Sequence, residues 1–251
     1  MTDVFTRVVF VWTAIGAATF VLLLKVRAPY GRYLRPGWGP TLPHRVGWIA
    51  MEIVSPAALV AAWLSGSGGR EVWAVLFVVL WLAHYLNRAL VFPFVSRWGG
   101  RRMPVAIMAS AIVFNAVNGG LNGWWFGHIA APYPDGWATD PRFVIGLSLF
   151  VCGATINIRA DATLRGLRAP GESGYRIPRG GLYRFVSCPN YLGEIVEWVG
   201  FAVLAWSPAA ATFAVWTAAN LTPRALSHHA WYRETFDDYP EKRRALIPGI
   251  L

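Results

Sequence analysis

The chain has 251 residues, of which 55% are hydrophobic and only 14% are charged. A soluble globular domain carries about 25% charged residues, so the composition excludes an ordinary soluble protein and indicates a membrane protein. The net charge is +10, from 21 Arg and 2 Lys against 13 acidic residues. Arg suits bidentate contacts with phosphate groups better than Lys does, and the Arg- and Ala-rich composition also indicates a bacterial source.

Seven apolar segments predict transmembrane helices, because a span takes roughly 17–25 residues. In chain order they cover residues 8–24, 46–64, 72–95, 103–121, 143–157, 190–206 and 208–222. The sequence Trp206-Ser207-Pro208 predicts a tight turn between the last two. No internal repeat is visible, so we predict one all-α polytopic membrane domain over residues 1–251, with seven transmembrane helices.

The connecting loops predict how these helices are oriented. Loops 25–45, 96–102 and 158–189 are rich in Arg, whereas loops 65–71 and 127–142 are almost neutral. Loops rich in Lys and Arg stay in the cytoplasm. We therefore expect the N-terminus outside, and the C-terminus and the three basic loops in the cytoplasm.

Two polar residues stand out in the early spans, in the cytoplasmic half of the predicted membrane. Glu52 is expected ~9 Å deep and Tyr85 ~15 Å deep, from the ~1.5 Å rise per helical residue. A carboxylate at mid-bilayer costs roughly 2.5–3.5 kcal/mol, so Glu52 indicates a hydrated pocket. The alternatives are a structural acid paired with Arg88, for Glu52, and an ordinary buried tyrosine, for Tyr85.

Two polar stripes run along the later helices. One recurs at i, i+4, i+8 and i+11 and consists of Asn157, Asp161, Arg165 and Arg168. The other recurs at i, i+4 and i+7 and consists of Asn190, Glu194 and Glu197. These spacings place each set on one helical face, and carboxylates on an apolar helix favour a polar cavity. A solvated helix end with an Asp–Arg pair is the alternative for the first stripe.

The loop before the second stripe alternates cations with aromatic rings. It contains, in order, Tyr175, Arg176, Arg179, Tyr183 and Arg184. Guanidinium forks beside stacking surfaces favour a phosphorylated, aromatic ligand. The sequence contains no GxGxxG after a strand and no Walker A motif, so a nucleotide would have to bind through the helical membrane domain itself.

A further polar group follows the last predicted span and consists of Arg224, His228, His229 and Tyr232. Adjacent histidines on a helix face different sides, and the HExxH spacing of a zinc site does not occur. We therefore predict no metal site in this chain.

Three motifs resemble the C-terminal half of the steroid 5α-reductase family: GYRIPRGGLYRFVS at 174–187, PNYLGEIVEW at 189–198 and FDDYPEKRRALIPGIL at 236–251. The HY pair at 84–85 and the region of Glu52 are also similar. The resemblance implies a membrane enzyme that binds NADPH from the cytosolic face, with a substrate-pocket half over residues 1–125 and a cofactor-binding half over residues 126–251. The cofactor contacts that it implies are Asn118, Asn157, Asp161, Arg168, Tyr175, Arg176, Asn190, Glu194, Arg224, His228 and Tyr232.

The resemblance also implies the reaction, which is reduction of a 3-oxo-Δ4 steroid to the 5α-3-oxo steroid. A hydride goes to C5 while negative charge accumulates on the C3 oxygen, and a donor in a dry site stabilises that charge. Glu52 and Tyr85 lie at positions similar to a catalytic acid–tyrosine pair, with Tyr85 as the donor and Glu52 polarising it. The expected partners are a steroid or related enone lipid and the lipid bilayer, without nucleic acid. We expect a monomer in a bacterial inner membrane or, in a eukaryote, in the endoplasmic reticulum.

Three alternatives remain open from the sequence. A membrane enoyl or polyprenol-type reductase would use the same hydride chemistry on another substrate. An isoprenylcysteine-type methyltransferase has a related C-terminal half but uses S-adenosylmethionine and has no need of Glu52 with Tyr85. A transporter or sterol-binding protein would use the polar residues as a pathway, although the one-sided polar cluster argues against it.

Overall fold

The computed structural model describes residues 2–66, 71–167 and 174–251, and over these ranges the chain is mostly helical. The α-helices are α1 (Thr2–Lys25), α2 (His44–Glu52), α3 (Val54–Leu64), α4 (Val72–Tyr85), α5 (Phe92–Val95), α6 (Val105–Trp124), α7 (Pro141–Gly166), α8 (Pro189–Ala205) and α9 (Pro208–Thr235). Two short strands, β1 (Thr41–Pro43) and β2 (Arg102–Pro104), pair antiparallel with Thr41 opposite Pro104. Single turns of π-helix cover Leu86–Val91 and Trp125–Ile129, and 3₁₀ turns cover Gly31–Tyr33, Trp137–Thr139 and Gly181–Arg184.

Within the described ranges, five helical segments are long and apolar enough to cross a membrane: Thr2–Lys25, His44–Leu64, Val72–Val95, Val105–Ile129 and Pro141–Gly166. They correspond to the first five predicted spans. The fifth was predicted to end at residue 157, but α7 continues to Gly166 because the polar residues after the apolar run remain helical. The sixth and seventh predicted spans lie on α8, which has 17 residues, and α9, which has 28. Their crossing of a membrane stays a prediction.

The chain forms two compact units. The first comprises Met1–Val9 and Ala28–Ala138, and the second comprises Phe10–Arg27 and Thr139–Leu251. Helices α2 to α6 and both strands therefore belong to the first unit, and helices α7 to α9 belong to the second.

In the first unit, α6 lies directly against α3 through a row of glycines. A Cβ on Gly119 would lie 2.3 Å from the Ser55 carbonyl oxygen, and one on Gly123 would lie 2.2 Å from the Leu59 carbonyl oxygen. No larger residue fits, so the two backbones touch, as small residues allow in membrane helix pairs. This contact fixes the register of α6 against α3.

Pro56 interrupts the helix that would otherwise join α2 to α3. Proline lacks the N–H that would bond the carbonyl four residues earlier, which belongs to Glu52, and its ring clashes with that carbonyl. Accordingly α2 ends at Glu52 and α3 begins at Val54. The sequence thus places an acidic residue at a helix break inside a predicted span.

In the second unit, α7 and α8 also approach each other through glycines. A Cβ on Gly153 would lie 2.5 Å from the Gly193 carbonyl oxygen, and one on Gly200 would lie 2.7 Å from the Gly146 carbonyl oxygen. The close approach brings the polar second half of α7 against the first turns of α8.

The turn between α8 and α9 matches the prediction. Trp206 ends α8 in a left-handed conformation with φ of 44°. Ser207 then caps α9, because its Oγ accepts a hydrogen bond from the Ala210 N–H at 3.0 Å, which satisfies one of the free donors of the first helical turn. The predicted tight turn is confirmed.

Candidate active site

Tyr85 is the last residue of α4, at the junction with the π-helical turn Leu86–Val91. Only 3% of its surface is exposed, and its ring stacks on that of Trp81 with the centroids 5.7 Å apart. Its hydroxyl donates a hydrogen bond to Asn115 Oδ1 at 3.3 Å. Turns of π-helix occur frequently at functional sites, and this one follows a tyrosine that is held deep in an apolar helix.

A cavity of about 430 Å³ lies beside Tyr85. Its lining residues are Ile53, Pro56, Val79, Leu82, Ala83, Tyr85, Leu86 and Leu90. The volume lies within the roughly 300–1,000 Å³ range of small-molecule sites. Because seven of the eight lining residues are apolar, the cavity suits an apolar ligand with a hydrogen-bond acceptor for the tyrosine.

Glu52 ends α2 at the helix break and is half-buried. The next residue, Ile53, lines the cavity. The carbonyl oxygen of the preceding residue, Met51, accepts a hydrogen bond from Asn115 Nδ2 at 2.7 Å. Asn115 therefore bonds both Tyr85 and the backbone next to Glu52, a connection that the sequence analysis missed.

Arg88, the alternative partner considered for Glu52, is 9% exposed and lies over two aromatic rings. Its guanidinium carbon is 4.8 Å from the Phe92 ring centroid and 5.1 Å from that of Trp48. Trp48 Nε1 also donates to the Arg88 carbonyl oxygen at 2.9 Å. Cation–π contacts of this kind stabilise a desolvated cation, so these rings help to explain the burial of Arg88.

Asn118 is the one predicted cofactor residue that belongs to the first unit. It is 1% exposed, and its Nδ2 donates to the Phe114 carbonyl oxygen at 2.8 Å, one turn earlier on α6. The backbone carbonyl oxygen of Asn118 accepts a hydrogen bond from Asn122 Nδ2 at 3.0 Å. These bonds run along its own helix, and a cofactor contact at Asn118 stays a prediction.

Four predicted cofactor residues meet where α7 lies on α8. Asn157 Nδ2 donates to Glu194 Oε2 at 3.2 Å and to the backbone carbonyl oxygen of Asn190 at 3.0 Å. Asn190 Nδ2 donates to Asp161 Oδ1 at 3.0 Å. Two members of each predicted stripe therefore face each other and form one polar network.

Two more predicted residues meet at Tyr191 of α8. The Tyr191 hydroxyl lies 3.2 Å from His228 Nε2, and the Arg224 guanidinium carbon lies 5.4 Å from the Tyr191 ring centroid. Arg224 and His228 are four residues apart on α9 and so share a face. Tyr191 was not predicted, although it adjoins Asn190 in the PNYLGE motif.

The basic loop contributes Tyr175 and Arg176. The Tyr175 ring is half-buried and lies 4.9 Å from the Trp231 ring, whereas Arg176 is exposed. Arg179 forms an ion pair with Asp238 at 2.8 Å on the surface, so the C-terminal tail engages one cation of this loop. Arg168 lies outside the described residues.

A second cluster that the sequence analysis missed joins the C-terminal tail to the segment before α8. Ser187 Oγ lies 2.6 Å from both His229 Nδ1 and the Tyr239 hydroxyl, and its N–H donates to the Arg244 carbonyl oxygen at 2.8 Å. The predicted cofactor residue Tyr232 stacks on Tyr239 with the ring centroids 5.3 Å apart. Burial, followed by the charges of nearby arginines, lowers the pKa of His229. The C-terminal tail thus packs against the C-terminal end of α9.

Comparison with known proteins decides the family. A family profile described as 3-oxo-5-alpha-steroid 4-dehydrogenase matches residues 101–251. The chain is 43% identical over 242 residues to 3-oxo-5-alpha-steroid 4-dehydrogenase 1 of Bos taurus, covering 95% of this chain and 93% of the relative. The chain belongs to the steroid 5α-reductase family.

Other relatives of the same family span animals and plants. The identity is 40% over 240 residues with 3-oxo-5-alpha-steroid 4-dehydrogenase 1 of Homo sapiens, covering 95% of this chain and 92% of the relative. It is 42% over 242 residues with steroid 5-alpha-reductase DET2 of Gossypium hirsutum, covering 94% and 93%. This steroid 5α-reductase homologue is therefore an oxidoreductase, and the resemblance drawn from its motifs is confirmed. The methyltransferase and transporter alternatives do not fit that class.

Proposed function

We propose that this protein reduces the Δ4 double bond of 3-oxo-Δ4 steroids to give 5α-3-oxo steroids, with NADPH as the reductant. The observation that carries the proposal is that Tyr85 is the one polar residue in the described part of the chain that lines an apolar cavity of about 430 Å³, in a chain that is 40–43% identical to steroid 5α-reductases. A steroid is flat, apolar and soluble in the bilayer, and its C3 oxygen is the acceptor that such a cavity requires.

Tyr85 acts in this proposal as the donor to the C3 oxygen. Conjugate reduction moves negative charge onto that oxygen, so a hydrogen bond to it is stronger in the transition state than in the ground state. A comparable donor to a developing oxyanion contributes about 10²–10³-fold in rate, or about 2.7–4 kcal/mol. A bound steroid would cover the apolar lining and displace water from it, which would strengthen the bond.

Glu52 acts in this proposal on the donor. It lies at the helix break caused by Pro56, one residue from the cavity-lining Ile53. The tyrosine hydroxyl has one proton, and in the transition state that proton is donated to the C3 oxygen. Glu52 would therefore act on the hydroxyl oxygen, to which its protonated carboxyl group would donate a hydrogen bond that holds and polarises the donor. C4 would be protonated after the enolate has formed.

The second unit suits NADPH by its set of donors and acceptors. The network of Asn157, Asp161, Asn190 and Glu194 offers amides and carboxylates, which suit ribose hydroxyls and the carboxamide of the nicotinamide ring. Arg176 and Arg224, with Arg168, supply cations for the phosphates, and Tyr175 and Tyr232 supply rings. When bound, NADPH supplies the hydride. The residues named in this paragraph would bind NADPH and orient its nicotinamide ring.

We further propose seven spans, with the cofactor residues on the cytoplasmic side. At a rise of about 1.5 Å per residue, the 17 residues of α8 span about 26 Å, close to the roughly 30 Å hydrocarbon core. Cysteine labelling in intact cells tests this topology. Gly136 and Gly174 have positive φ values of 80° and 113°, so a cysteine would strain the backbone there. Asp135 and Arg184, which are exposed and lie in the same two predicted loops, are better cysteine sites. Labelling of Asp135→Cys from outside and Arg184→Cys only after permeabilisation is expected, and the reverse pattern would contradict the topology.

An enoyl or polyprenol-type lipid is the second candidate substrate, because the apolar lining of the cavity also accommodates an aliphatic chain. Purified protein in lipid discs should be given NADPH with testosterone or progesterone, and separately with an enoyl or polyprenol-type lipid. We expect the 5α-reduced steroid by mass spectrometry and chromatography against 5α and 5β standards. Reduction of the aliphatic lipid alone would favour the second candidate, and a copurified S-adenosylmethionine would contradict both.

A further inference from the structure

Asn115 uses both ends of its amide: one bond runs to Tyr85 of the proposed catalytic pair, and the other runs to the backbone next to Glu52. It is 3% exposed on α6. Its Nδ2 donates to the Met51 carbonyl oxygen at 2.7 Å, and its Oδ1 accepts from the Tyr85 hydroxyl at 3.3 Å. A backbone carbonyl only accepts hydrogen bonds, so the first bond fixes which end of the amide is the NH₂ group. The oxygen must therefore face Tyr85, whose hydroxyl proton points towards Asn115.

The position of Asn115 is set by backbone contacts on either side. One turn along α6, the backbone at Gly119 lies against the Ser55 carbonyl oxygen, where a Cβ would be 2.3 Å away. On the other side, the Met51 carbonyl oxygen lies in the last turn of α2, next to the helix break before Pro56. The Asn115 amide donates to that oxygen. The amide therefore has little freedom to shift.

We propose that Asn115 is the positioning residue of the reductase, which sets the Tyr85 hydroxyl and ties it to the segment that carries Glu52. The proposal rests on the proposed function, and Asn115 acts through Tyr85 without contact with the substrate. The bond between them, at 3.3 Å, is longer than the typical 2.7–2.8 Å of an O–H···O bond, so it orients the hydroxyl at little energetic cost. A charged oxygen is a much stronger acceptor than an amide oxygen. The hydroxyl therefore turns from Asn115 to the C3 oxygen as the enolate develops.

This role predicts an effect on the chemical step rather than on steroid binding. Asn115→Leu keeps the size of the side chain and removes both hydrogen bonds. We expect kcat to fall about fivefold to tenfold, the factor that one neutral hydrogen bond supports, with KM for the steroid changed less than twofold. If the leucine variant does not fold, Asn115→Ala replaces it in the test, and the same fall in kcat is expected. Asn115→Gln keeps both polar groups and should restore part of the rate.

Asn122 provides a matched control. It is a fully buried amide on the same helix, and its Nδ2 bonds the Asn118 carbonyl oxygen one turn away. Asn122→Leu therefore removes a buried amide without touching the bond to Tyr85. Thermal unfolding of both leucine variants measures the structural cost of each, and kcat should fall only in the Asn115 variant. An equal fall in both would mean that Asn115 has a structural role alone.

The deciding measurement is a double-mutant cycle with Tyr85→Phe in single-turnover steroid reduction. If Asn115 acts through the hydroxyl, Asn115→Leu should have no further effect once that hydroxyl is absent. Additive effects of the two substitutions would overturn the positioning role of Asn115. So would an Asn115→Leu variant that is as fast as the unsubstituted protein, or faster, while Tyr85→Phe is impaired. Both outcomes would leave the proposed role of Tyr85 intact. Full activity in Tyr85→Phe would overturn the proposed catalytic pair as well, so the two failures are distinguishable.

Discussion

Substitution of Tyr85 by Phe removes the hydroxyl of a residue that lines the cavity and leaves the ring in place. The stacking on Trp81, with centroids 5.7 Å apart, is kept. In the resting protein the change removes the hydrogen bond to Asn115 Oδ1 at 3.3 Å. An unsatisfied buried acceptor costs about 1–3 kcal/mol, and the length of this bond places the cost at the low end. We therefore expect a folded variant.

The transition state loses much more than the resting protein does. Loss of a donor to a developing oxyanion costs about 2.7–4 kcal/mol, which lowers kcat about 10²–10³-fold. The affinity for NADPH should change little, because the predicted phosphate contacts belong to the second unit. Glu52→Gln should also slow turnover, because the N–H of an amide is a much less acidic donor to the Tyr85 oxygen than the O–H of a carboxyl group. If the two residues act as one unit, the double variant should be little slower than the slower single variant.

The assay is single-turnover reduction of testosterone or progesterone in lipid discs, followed by the loss of NADPH absorbance. Tyr133→Phe is the matched control, because Tyr133 is a half-buried tyrosine of the same unit that does not line the cavity. Its activity should equal that of the unsubstituted protein. Full activity in Tyr85→Phe would refute the view that this hydroxyl activates the C3 carbonyl.

Three further predictions concern the second unit. Glu194→Ala should weaken NADPH binding more than Glu197→Ala, because Glu194 belongs to the network with Asn157, whereas Glu197 is 2% exposed and lies one turn deeper. An equal loss of NADPH affinity in both variants, measured by equilibrium titration, would mean that both residues have a structural role. Arg176→Ala should raise the Kd for NADPH about tenfold or more, since a bond to a charged group contributes about 1.5–3 kcal/mol. Arg184→Ala, at an exposed position in the same loop, is the control and should leave the Kd unchanged. Equal effects of the two substitutions would contradict a specific role of Arg176 in phosphate binding. Because the pKa of His229 is lowered, the unfolded chain binds more protons, so stability is present above about pH 6.5 and is lost as the pH falls towards the lowered value. Thermal unfolding against pH should show that slope, and His229→Gln should flatten it.

The sequence predicted the second unit more completely than the first. Asn157 and Asp161 are four residues apart, as are Asn190 and Glu194, so helix periodicity alone places each pair on one face. The glycines of both helices then bring the two faces together. The structure joins these two predicted faces in one network, while contacts with a cofactor stay predictions.

The connections that sequence missed are long-range hydrogen bonds. Asn115 lies 64 residues from Met51 and 30 from Tyr85, and an amide in an apolar run has no spacing that names its partner. The sequence signal was the amide itself, since a polar residue inside a span needs a partner. Ser187 and Tyr239 are likewise joined only by the fold of the tail. The π-helical turn after Tyr85 has no sequence signature that separates it from an α-helix.

Transfer of an isotopic label tests the central proposal most directly. The purified protein should be given NADPH deuterated at C4 of the nicotinamide ring, together with progesterone, and the product analysed by mass spectrometry and NMR. The account predicts one deuterium at C5 on the α face of a 3-oxo steroid, with the yield sharply reduced in Tyr85→Phe. A product without deuterium at C5, a 5β product, or equal turnover with NADH would contradict it.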